Sequence, residues 1–564
     1  MPVIPVRLKM RHAVHFALGL LSLLPFVVLL SACGGGGSNP APVPPPPAAC
    51  GAGTSPVPGL VVTDFGAVQG AQAGNTYGFL GVPYAAPPVG ALRWQPPQDP
   101  ACSNSPRLTT TFSAGCIQKH FDQFSGVSTI EGSEDCLYLN VWTPTDYSNT
   151  SRPVMVFIHG GGNQQGSSGQ IAAGARLYDG AKLAERGNVV VVSINYRLGP
   201  LGYLAHAALT DSSGHYGNWG LQDQIKALQW VQNHIARFGG DPARVLLFGE
   251  SAGAVNTCML LVAPQANGLF SRAAMESGAC IAKTLAARET DSASYITDLG
   301  CDTAPDTKAC LQALDGVALV TPEQKPVSAG GLVTQAFGPA IDGWLLPQDP
   351  MLALQQGLFN HVPLIVGSNA NETSLGAPPN TINRAMVLAL FSVVPEPTRT
   401  GLLAIYDPGP GVSLLNPSPE ARDSFIRATS DGQFICQARR VARRVQQSAG
   451  QTDPVYRYSF THRLSGAFGD NYGAYHGFEL FYVFQTIEDS SYAPLLTIDD
   501  TAVEQHVLGY WTRFAATGDP NDAQAVVWPQ YDNTDPHLSL AATPVAGTAL
   551  LSQACDLWDV VAAQ

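Results

Sequence analysis

A five-residue turn at positions 249–253, Gly-Glu-Ser-Ala-Gly, constrains this chain more than any other part of its sequence. It follows an apolar run at 245–248 that predicts a buried strand, and it precedes an apolar helical pattern that ends at 262. Glycines on both sides of Ser251 allow neighbouring backbone to approach a tight turn closely. The serine hydroxyl would then be exposed beside the N–H groups of a helix N-terminus. The context favours a nucleophilic Ser251 over a serine in an ordinary glycine-rich turn.

Other apolar runs predict a sheet around this turn. They are rich in β-branched residues and lie at 154–158, 189–194 and 363–366. Apolar residues at helical spacing between the second of these runs and residue 245 predict an intervening helix; they are Leu221, Ile225, Leu228, Val231, Ile235 and Phe238. Strands that are apolar on both faces and separated by helices indicate an α/β fold with a parallel sheet covered on both sides.

The N-terminus has the features of an export signal. Basic residues from Arg7 to Arg11 precede an apolar stretch at 13–30, and Leu-Ser-Ala-Cys at 30–33 resembles a bacterial lipobox. We therefore expect a lipoprotein signal peptide at 1–32 and a lipid on Cys33. Gly34 favours sorting to an outer membrane. An uncleaved membrane anchor is the alternative, because the apolar stretch is long for a signal peptide.

Composition indicates the domain organisation and argues against some classes of partner and cofactor. Residues 33–58 are rich in Gly and Pro and predict an extended tether, whereas 59–564 has the patterning of a globular domain. The net charge of −13 and the lack of a basic run after the N-terminus argue against nucleic acid as a partner. Eleven cysteines without a CxxC pair or an HExxH motif argue against zinc and, in an exported protein, for disulfides.

Four motifs in this order resemble the type-B carboxylesterase family, which includes cholinesterases and fungal lipases. They lie at 134–141 (EDCLYLNV), 218–224 (NWGLQDQ), 238–242 (FGGDP) and 248–254 (FGESAGA). The resemblance implies one α/β-hydrolase domain over 59–564. That domain would have a mostly parallel central sheet flanked by helices, long insertions around the active site, and no cofactor.

The resemblance also implies an oxyanion hole, because His-Gly-Gly-Gly at 159–162 directly follows a predicted strand. The N–H groups of Gly161, Gly162 and Ala252 would form it, and His159 would be structural. Asn163 stands where relatives have an aromatic residue.

A serine nucleophile needs a base and an acid that orients the base. His476, within 473–480 (GAYHGFEL), matches the histidine loop of the family, and Glu372 matches its acid in the chain order Ser, acid, His. Asn371 and Thr373 replace the usual Asp and Gly beside that acid. Asp342 is the second candidate for the acid, although its Asp-Gly-Trp setting is typical of a turn.

Supporting roles follow from the same resemblance. Ser277 would hydrogen-bond the acid and Glu250 would tune the charge of the histidine. Two buried ion pairs, Arg93–Glu134 and Arg197–Asp223, would be structural. The implied disulfides are Cys116–Cys136 and Cys301–Cys310; the pairs Cys50–Cys102 and Cys436–Cys555 are guesses, with Cys258 and Cys280 left free or paired.

The sequence thus predicts an extracytoplasmic carboxylesterase that hydrolyses small-molecule or polymeric esters through an acyl-enzyme on Ser251. Amide or peptide hydrolysis by the same residues is an alternative. A non-catalytic, cholinesterase-like adhesion protein is another, but such relatives generally lack part of the machinery. The insertions at 283–335 and 374–430 carry no motif that identifies a substrate.

Overall fold

The computed structural model describes residues 50, 57–122, 127–322, 327–329, 332–334, 336–448, 450 and 452–563. Residues 49–564 form one compact unit. The expected signal peptide, Cys33 and most of the tether lie outside the described residues.

A mixed sheet organises the domain and contains eleven strands within the described residues. In chain order they are β1 Ala71–Ala73, β2 Thr76–Pro83, β3 Tyr138–Pro144, β4 Arg152–Ile158, β5 Val190–Ile194, β6 Gly240–Glu250, β7 Arg272–Glu276, β8 Leu364–Asn369, β9 Val455–Phe460, β10 Pro536–Leu540 and β11 Val545–Thr548.

The spatial order of the strands is β11-β10-β9-β8-β7-β6-β4-β5-β3-β2-β1. Every neighbouring pair from β10 across to β5 is parallel, and the pairs at both edges are antiparallel. This confirms the mostly parallel sheet that the sequence predicted. The four predicted strands are present as β4, β5, β6 and β8, with bounds that differ by one to several residues.

Helices cover both faces of the sheet. They are α1 Ala181–Gly187, α2 Gly199–Tyr203, α3 Trp219–His234, α4 Ala252–Val262, α5 Leu285–Asp298, α6 Thr307–Ala313, α7 Gly316–Val320, α8 Pro350–Gln356, α9 Arg384–Ala389, α10 Thr398–Tyr406, α11 Pro419–Ser430, α12 Cys436–Gln446, α13 Gly466–Tyr472, α14 Leu480–Val483, α15 Ile498–Thr517 and α16 Ser552–Ala562. The predicted amphipathic helix is α3, and its last turn, Ile235–Phe238, is a 3₁₀-helix. A π-helical segment, Asp431–Ile435, joins α11 to α12.

Short strands lie outside the main sheet. They are Leu60–Thr63 with Gly66–Gln69 and Arg107–Leu108, Gln118–Asp122 with Val127–Glu131, Ile171–Ala172 with Ala175–Arg176, Lys283–Thr284 with Ala340–Ile341, and Val327–Ala329 with Leu332–Thr334.

Strand β4 shows why the predicted strands are apolar throughout. Val154, Val156 and Ile158 pack into the core on one face of the sheet, and Met155 and Phe157 pack into the core on the other. All five side chains are buried. A strand buried on both faces has no polar side to present to water, so the alternating pattern of a half-exposed strand is lost.

Disulfides cross-link the described residues in five places: Cys50–Cys102, Cys116–Cys136, Cys258–Cys280, Cys301–Cys310 and Cys436–Cys555. The structure thus contains both pairs that the family resemblance implied and both guessed pairs, and it joins the two cysteines whose state was open. Disulfides persist in oxidising compartments, so the protein is extracytoplasmic. No helix in the described part of the chain is long and apolar enough to span a membrane.

Candidate active site

Ser251 lies at the junction of β6 and α4 in a strained backbone conformation, with φ 56° and ψ −121°. Its N–H donates to the carbonyl of Glu276 over 2.9 Å, which ties the turn to β7. A Cβ on Gly253 would lie 2.0 Å from the carbonyl oxygen of Ile158, so only glycine fits there. The turn therefore holds a half-buried serine side chain outward at the carboxyl edge of the sheet.

The glycine loop after β4 lies beside this serine. Gly161 and Gly162 have φ values of 96° and 66°, which side chains rarely tolerate. Gly162 and Ala252 line the same cavity as Ser251. Ala252 is the first residue of α4, so its N–H has no partner within that helix. These backbone donors lie where an oxyanion hole is expected.

Asn163 continues this loop in a left-handed conformation, with φ 58°, which asparagine adopts more readily than most residues. Its carbonyl accepts a hydrogen bond from the N–H of Gly199, and its Oδ1 accepts one from Asn256. The side chain of Asn163, which stands where relatives have an aromatic residue, thus has a buried polar partner on α4.

His476 and Glu372 are joined by a hydrogen bond of 2.6 Å between Nδ1 and Oε2. Glu372 is buried, and its Oε1 accepts a hydrogen bond from the N–H of Asn369 at the end of β8. The N–H of His476 donates to the carbonyl of Glu372 over 3.2 Å. Backbone and side-chain bonds together fix the orientation of the imidazole.

The second ring nitrogen of His476 contacts a different carboxylate. Nε2 lies 3.1 Å from Oε1 of Glu250, the residue that precedes Ser251. Within the described residues, no hydrogen bond joins the Ser251 hydroxyl to His476 in this conformation. Burial alone would lower the pKa of His476, but the charges of Glu250 and Glu372 outweigh burial and raise that pKa to about 10. Burial also raises the pKa of Glu250.

Two further glutamates are buried behind the site. Burial raises the pKa of Glu276 to about 8, although Trp511 donates a hydrogen bond to its carboxylate. Burial and the neighbouring charges of Glu250 and Glu372 raise the pKa of Glu479. Neither residue was predicted to have a role; the signal for them in the sequence was their position directly before Ser277 and three residues after His476.

Phe434 is a site residue that sequence analysis missed. It belongs to the π-helical segment, and its ring packs on the imidazole of His476 with 4.8 Å between centroids. Phe434 also lines the cavity of Ser251. No motif includes Phe434, so nothing in the sequence marked it as a site residue.

The cavity beside Ser251 has a volume of about 570 Å³, which suits a small organic substrate. Its walls combine the backbone of Gly278 and Gly338 with apolar side chains, among them Val255, Ile281 and Phe337. Lys283 and Arg288 also line the cavity, and both form ion pairs with Asp291. The apolar part of the walls, beside one nucleophile and a few backbone donors, fits the uncharged part of an ester.

Two other residues singled out in the sequence, Asp342 and His159, make structural contacts. The Oδ1 of Asp342 accepts from the N–H groups of Trp344 and Leu346, so Asp342 closes a turn and does not contact His476 in the described structure. Burial lowers the pKa of His159 to about 4, and its ring stacks on Tyr196.

The ion pairs Arg93–Glu134 and Arg197–Asp223 are formed, with N–O distances of 2.5 and 2.8 Å.

The expected hydrogen bond from Ser277 to Glu372 is not formed. Ser277 Oγ is buried and has no hydrogen-bond partner among the described atoms. Both carboxylate oxygens of Glu372 already have other donors, Asn369 N–H and His476 Nδ1. Ser277 instead lines the cavity beside Ser251.

A serine at a strand–helix turn beside a glycine loop and a histidine–glutamate pair defines a hydrolase site on a mostly parallel α/β sheet. The family profile described as "Carboxylesterase family" matches residues 58–558. The chain therefore belongs to the carboxylesterase family.

Similar proteins cover nearly the same span. The chain is 33% identical to "Cocaine esterase" of Homo sapiens over 520 residues, which is 87% of this chain and 88% of the relative. It is 33% identical to "Fatty acyl-CoA hydrolase precursor, medium chain" of Anas platyrhynchos over 534 residues, 88% of this chain and 91% of the relative. The solved structure of "PNB esterase" has a TM-score of 0.74 at 29% identity and covers 89% of this chain and 100% of that one.

Family and relatives make this protein an esterase that hydrolyses carboxylic esters, and the α/β-hydrolase fold predicted from the sequence is confirmed. A non-catalytic adhesion protein is thereby set aside.

Proposed function

We propose that the protein hydrolyses carboxylic esters through an acyl-enzyme on Ser251, with His476 as the general base and Glu372 as the acid that orients it. This assignment rests on the 2.6 Å hydrogen bond from His476 to buried Glu372, beside the turn that exposes Ser251. A bond to Nδ1 fixes the tautomer of the neutral imidazole, so that Nε2 is the nitrogen that accepts a proton.

In the first step Ser251 Oγ attacks the ester carbonyl carbon and its proton passes to His476 Nε2. The tetrahedral intermediate collapses, the bond from carbon to the alcohol oxygen breaks, and His476 returns the proton to the departing alcohol. Water then attacks the acyl-enzyme, gives its proton to Nε2 and releases the acid, and Ser251 Oγ recovers that proton.

The developing oxyanion needs donors on one side of the reacting carbon. The N–H groups of Gly161, Gly162 and Ala252 would supply them. A donor of this kind typically lowers the barrier by about 3–4 kcal/mol. These donors are backbone groups of the glycine loop and of a helix N-terminus, so the fold itself holds them beside Ser251.

The imidazole must be neutral to accept the serine proton, and it must turn Nε2 from Glu250 towards Ser251. Carboxylates that raise the pKa of His476 favour its protonated form. Activity is therefore expected to increase with pH above the ordinary range of histidine.

The direct test is Ser251→Ala with short p-nitrophenyl esters. We expect a loss of about 10⁶-fold in kcat, as found when a serine nucleophile is removed from a triad. Ser213→Ala, at an exposed position, is the matched control, and circular dichroism checks the fold. A correctly folded Ser251→Ala enzyme with near-wild-type turnover would contradict the mechanism. Matching p-nitroanilides in the same assay separate ester from amide hydrolysis.

We further propose that residues 1–32 are a lipoprotein signal peptide, that Cys33 carries the lipid, and that 33–58 tether the catalytic domain of 59–564 to an outer membrane. The lipobox-like sequence and the oxidising compartment that the disulfides require support this.

A further inference from the structure

A second cavity adjoins that of Ser251 and is lined by a group of arginines. Its volume is about 330 Å³, and the two cavities share Ile281, Ala282 and Gln437 in their walls. The second cavity is also lined by Arg440, Arg443 and Arg444 of α12. The two cavities are therefore neighbours, with these three residues at their common boundary.

One face of α12 contributes to both cavities. Gln437, Arg440 and Arg444 are spaced i, i+3 and i+7, so they lie on the same side of the helix. Arg440 Nη1 donates to Gln437 Oε1 over 2.9 Å, which links the side chain shared by both cavities to the first arginine. Seven residues of helix place Arg444 about 10 Å further along the axis than Gln437.

The arginines around this cavity outnumber the carboxylates that neutralise them. Arg439, Arg440, Arg443 and Arg457 share three carboxylates, those of Asp535, Asp556 and Asp559. Arg444 donates to the neutral Gln355 over 2.9 Å, and no ion pair involves it within the described residues. Among the residues that line the cavity itself, three arginines face two carboxylates, those of Asp349 and Asp559, in a chain whose net charge is −13.

We propose that this basic cavity binds a carboxylate carried by the ester substrate. The preferred substrates would then be esters with an uncharged group at Ser251 and a carboxylate at the far end of a chain that reaches Arg440 and Arg444, such as monoesters of longer dicarboxylic acids. Arginine suits this role because its planar guanidinium pairs with both carboxylate oxygens. The inference rests on the proposed function of Ser251.

The test compares p-nitrophenyl hydrogen suberate with p-nitrophenyl octanoate, which have the same chain length and differ in the terminal carboxylate. We expect the wild-type enzyme to prefer the carboxylated ester in kcat/KM, and Arg444→Gln to lower that preference by about tenfold, since a charge-assisted hydrogen bond is lost. Arg444→Lys should retain part of the preference. Arg399→Gln removes an equal charge from an exposed ion pair that lines neither cavity, and it should leave the preference as it is.

A second measurement does not depend on turnover. Both esters are titrated into Ser251→Ala protein and into the same protein with Arg444→Gln, and the ratio of their Kd values is compared. An unchanged ratio, or one changed no more than by Arg399→Gln, would overturn the basic site while leaving ester hydrolysis by Ser251 intact. A Ser251→Ala protein that still hydrolyses the esters would instead overturn the proposed function.

Discussion

Nε2 of His476 lies 3.1 Å from Oε1 of Glu250, so the imidazole is held between two carboxylates instead of one. The position directly before the nucleophile thus acts on the base. Both contacts favour the imidazolium form of His476. They therefore stabilise the positive charge that develops on the ring during attack, and they disfavour the neutral ring that must be present before attack.

Glu250→Gln is predicted to move the acidic limb of the pH profile of kcat/KM to lower pH. The limb reports protonation of the free enzyme's base, and removing one negative charge lowers the pKa of His476. The base then stays neutral at lower pH. Stopped-flow or steady-state assays between pH 5 and about 10.5 would measure the limb. A limb that keeps its wild-type position would show that Glu250 does not act on His476.

Glu372→Gln should lower kcat by about 10⁴-fold while KM changes little, because the imidazole loses the partner that fixes its tautomer. Asp342→Asn is the comparison, since Asp342 was the competing candidate and holds a turn. We expect Asp342→Asn to lower the melting temperature without a comparable loss of kcat. A large loss of kcat in Asp342→Asn without such a loss in Glu372→Gln would instead identify Asp342 as the acid.

Gly253→Ala should distort the turn that carries Ser251. The added Cβ would lie 2.0 Å from the carbonyl oxygen of Ile158, so backbone must shift, at about 1–3 kcal/mol of unfolding free energy. We also expect a loss of kcat because the nucleophile moves with the turn. Gly411→Ala, where a Cβ meets nothing within 4 Å, is the control. Denaturant titration and kcat are measured for both variants. Equal unfolding free energy and equal kcat in the two variants would contradict the prediction.

The disulfides should differ in their contribution to stability. Cys436–Cys555 closes a loop of 119 residues and Cys301–Cys310 one of nine. Loop-closure entropy predicts that removing the first pair with alanines costs about 4–5 kcal/mol of unfolding free energy and removing the second costs less than about 3. Urea unfolding of both double variants measures the difference. Equal losses would mean that strain or residual structure, not loop length, dominates.

Cys33→Ser is predicted to shift esterase activity from the membrane fraction to the soluble or precursor pool, with kcat of the folded domain unchanged. A thioether-linked diacylglycerol supplies two chains, and two chains give stable anchoring where one does not. Fractionation and mass spectrometry of the mature N-terminus provide the measurement. A mature chain that begins away from Cys33 would show that the segment is an ordinary signal peptide, and an intact Met1 would show an anchor.

The sequence by itself determined the parallel sheet, the turn around Ser251, and His476 and Glu372 as the candidate base and acid. Local backbone requirements impose the sheet and the turn, because a strand buried on both faces needs apolar residues throughout and a tight turn needs glycine. Such requirements appear as short motifs that can be recognised without knowing the rest of the fold. His476 and Glu372 were indicated by the resemblance to the carboxylesterase family.

Only the tertiary structure decided which distant side chains meet. Glu372 and His476 are 104 positions apart in the chain, the pairing of Cys258 with Cys280 was open, and only the structure shows that Asp342 holds a turn while Glu372 contacts His476. Phe434 contacts His476 from a π-helical segment without a motif, and the arginines of α12 line the neighbouring cavity from a helix without a motif. Contacts between remote segments depend on how the elements pack, and packing leaves no periodic or local signal in the sequence of either segment.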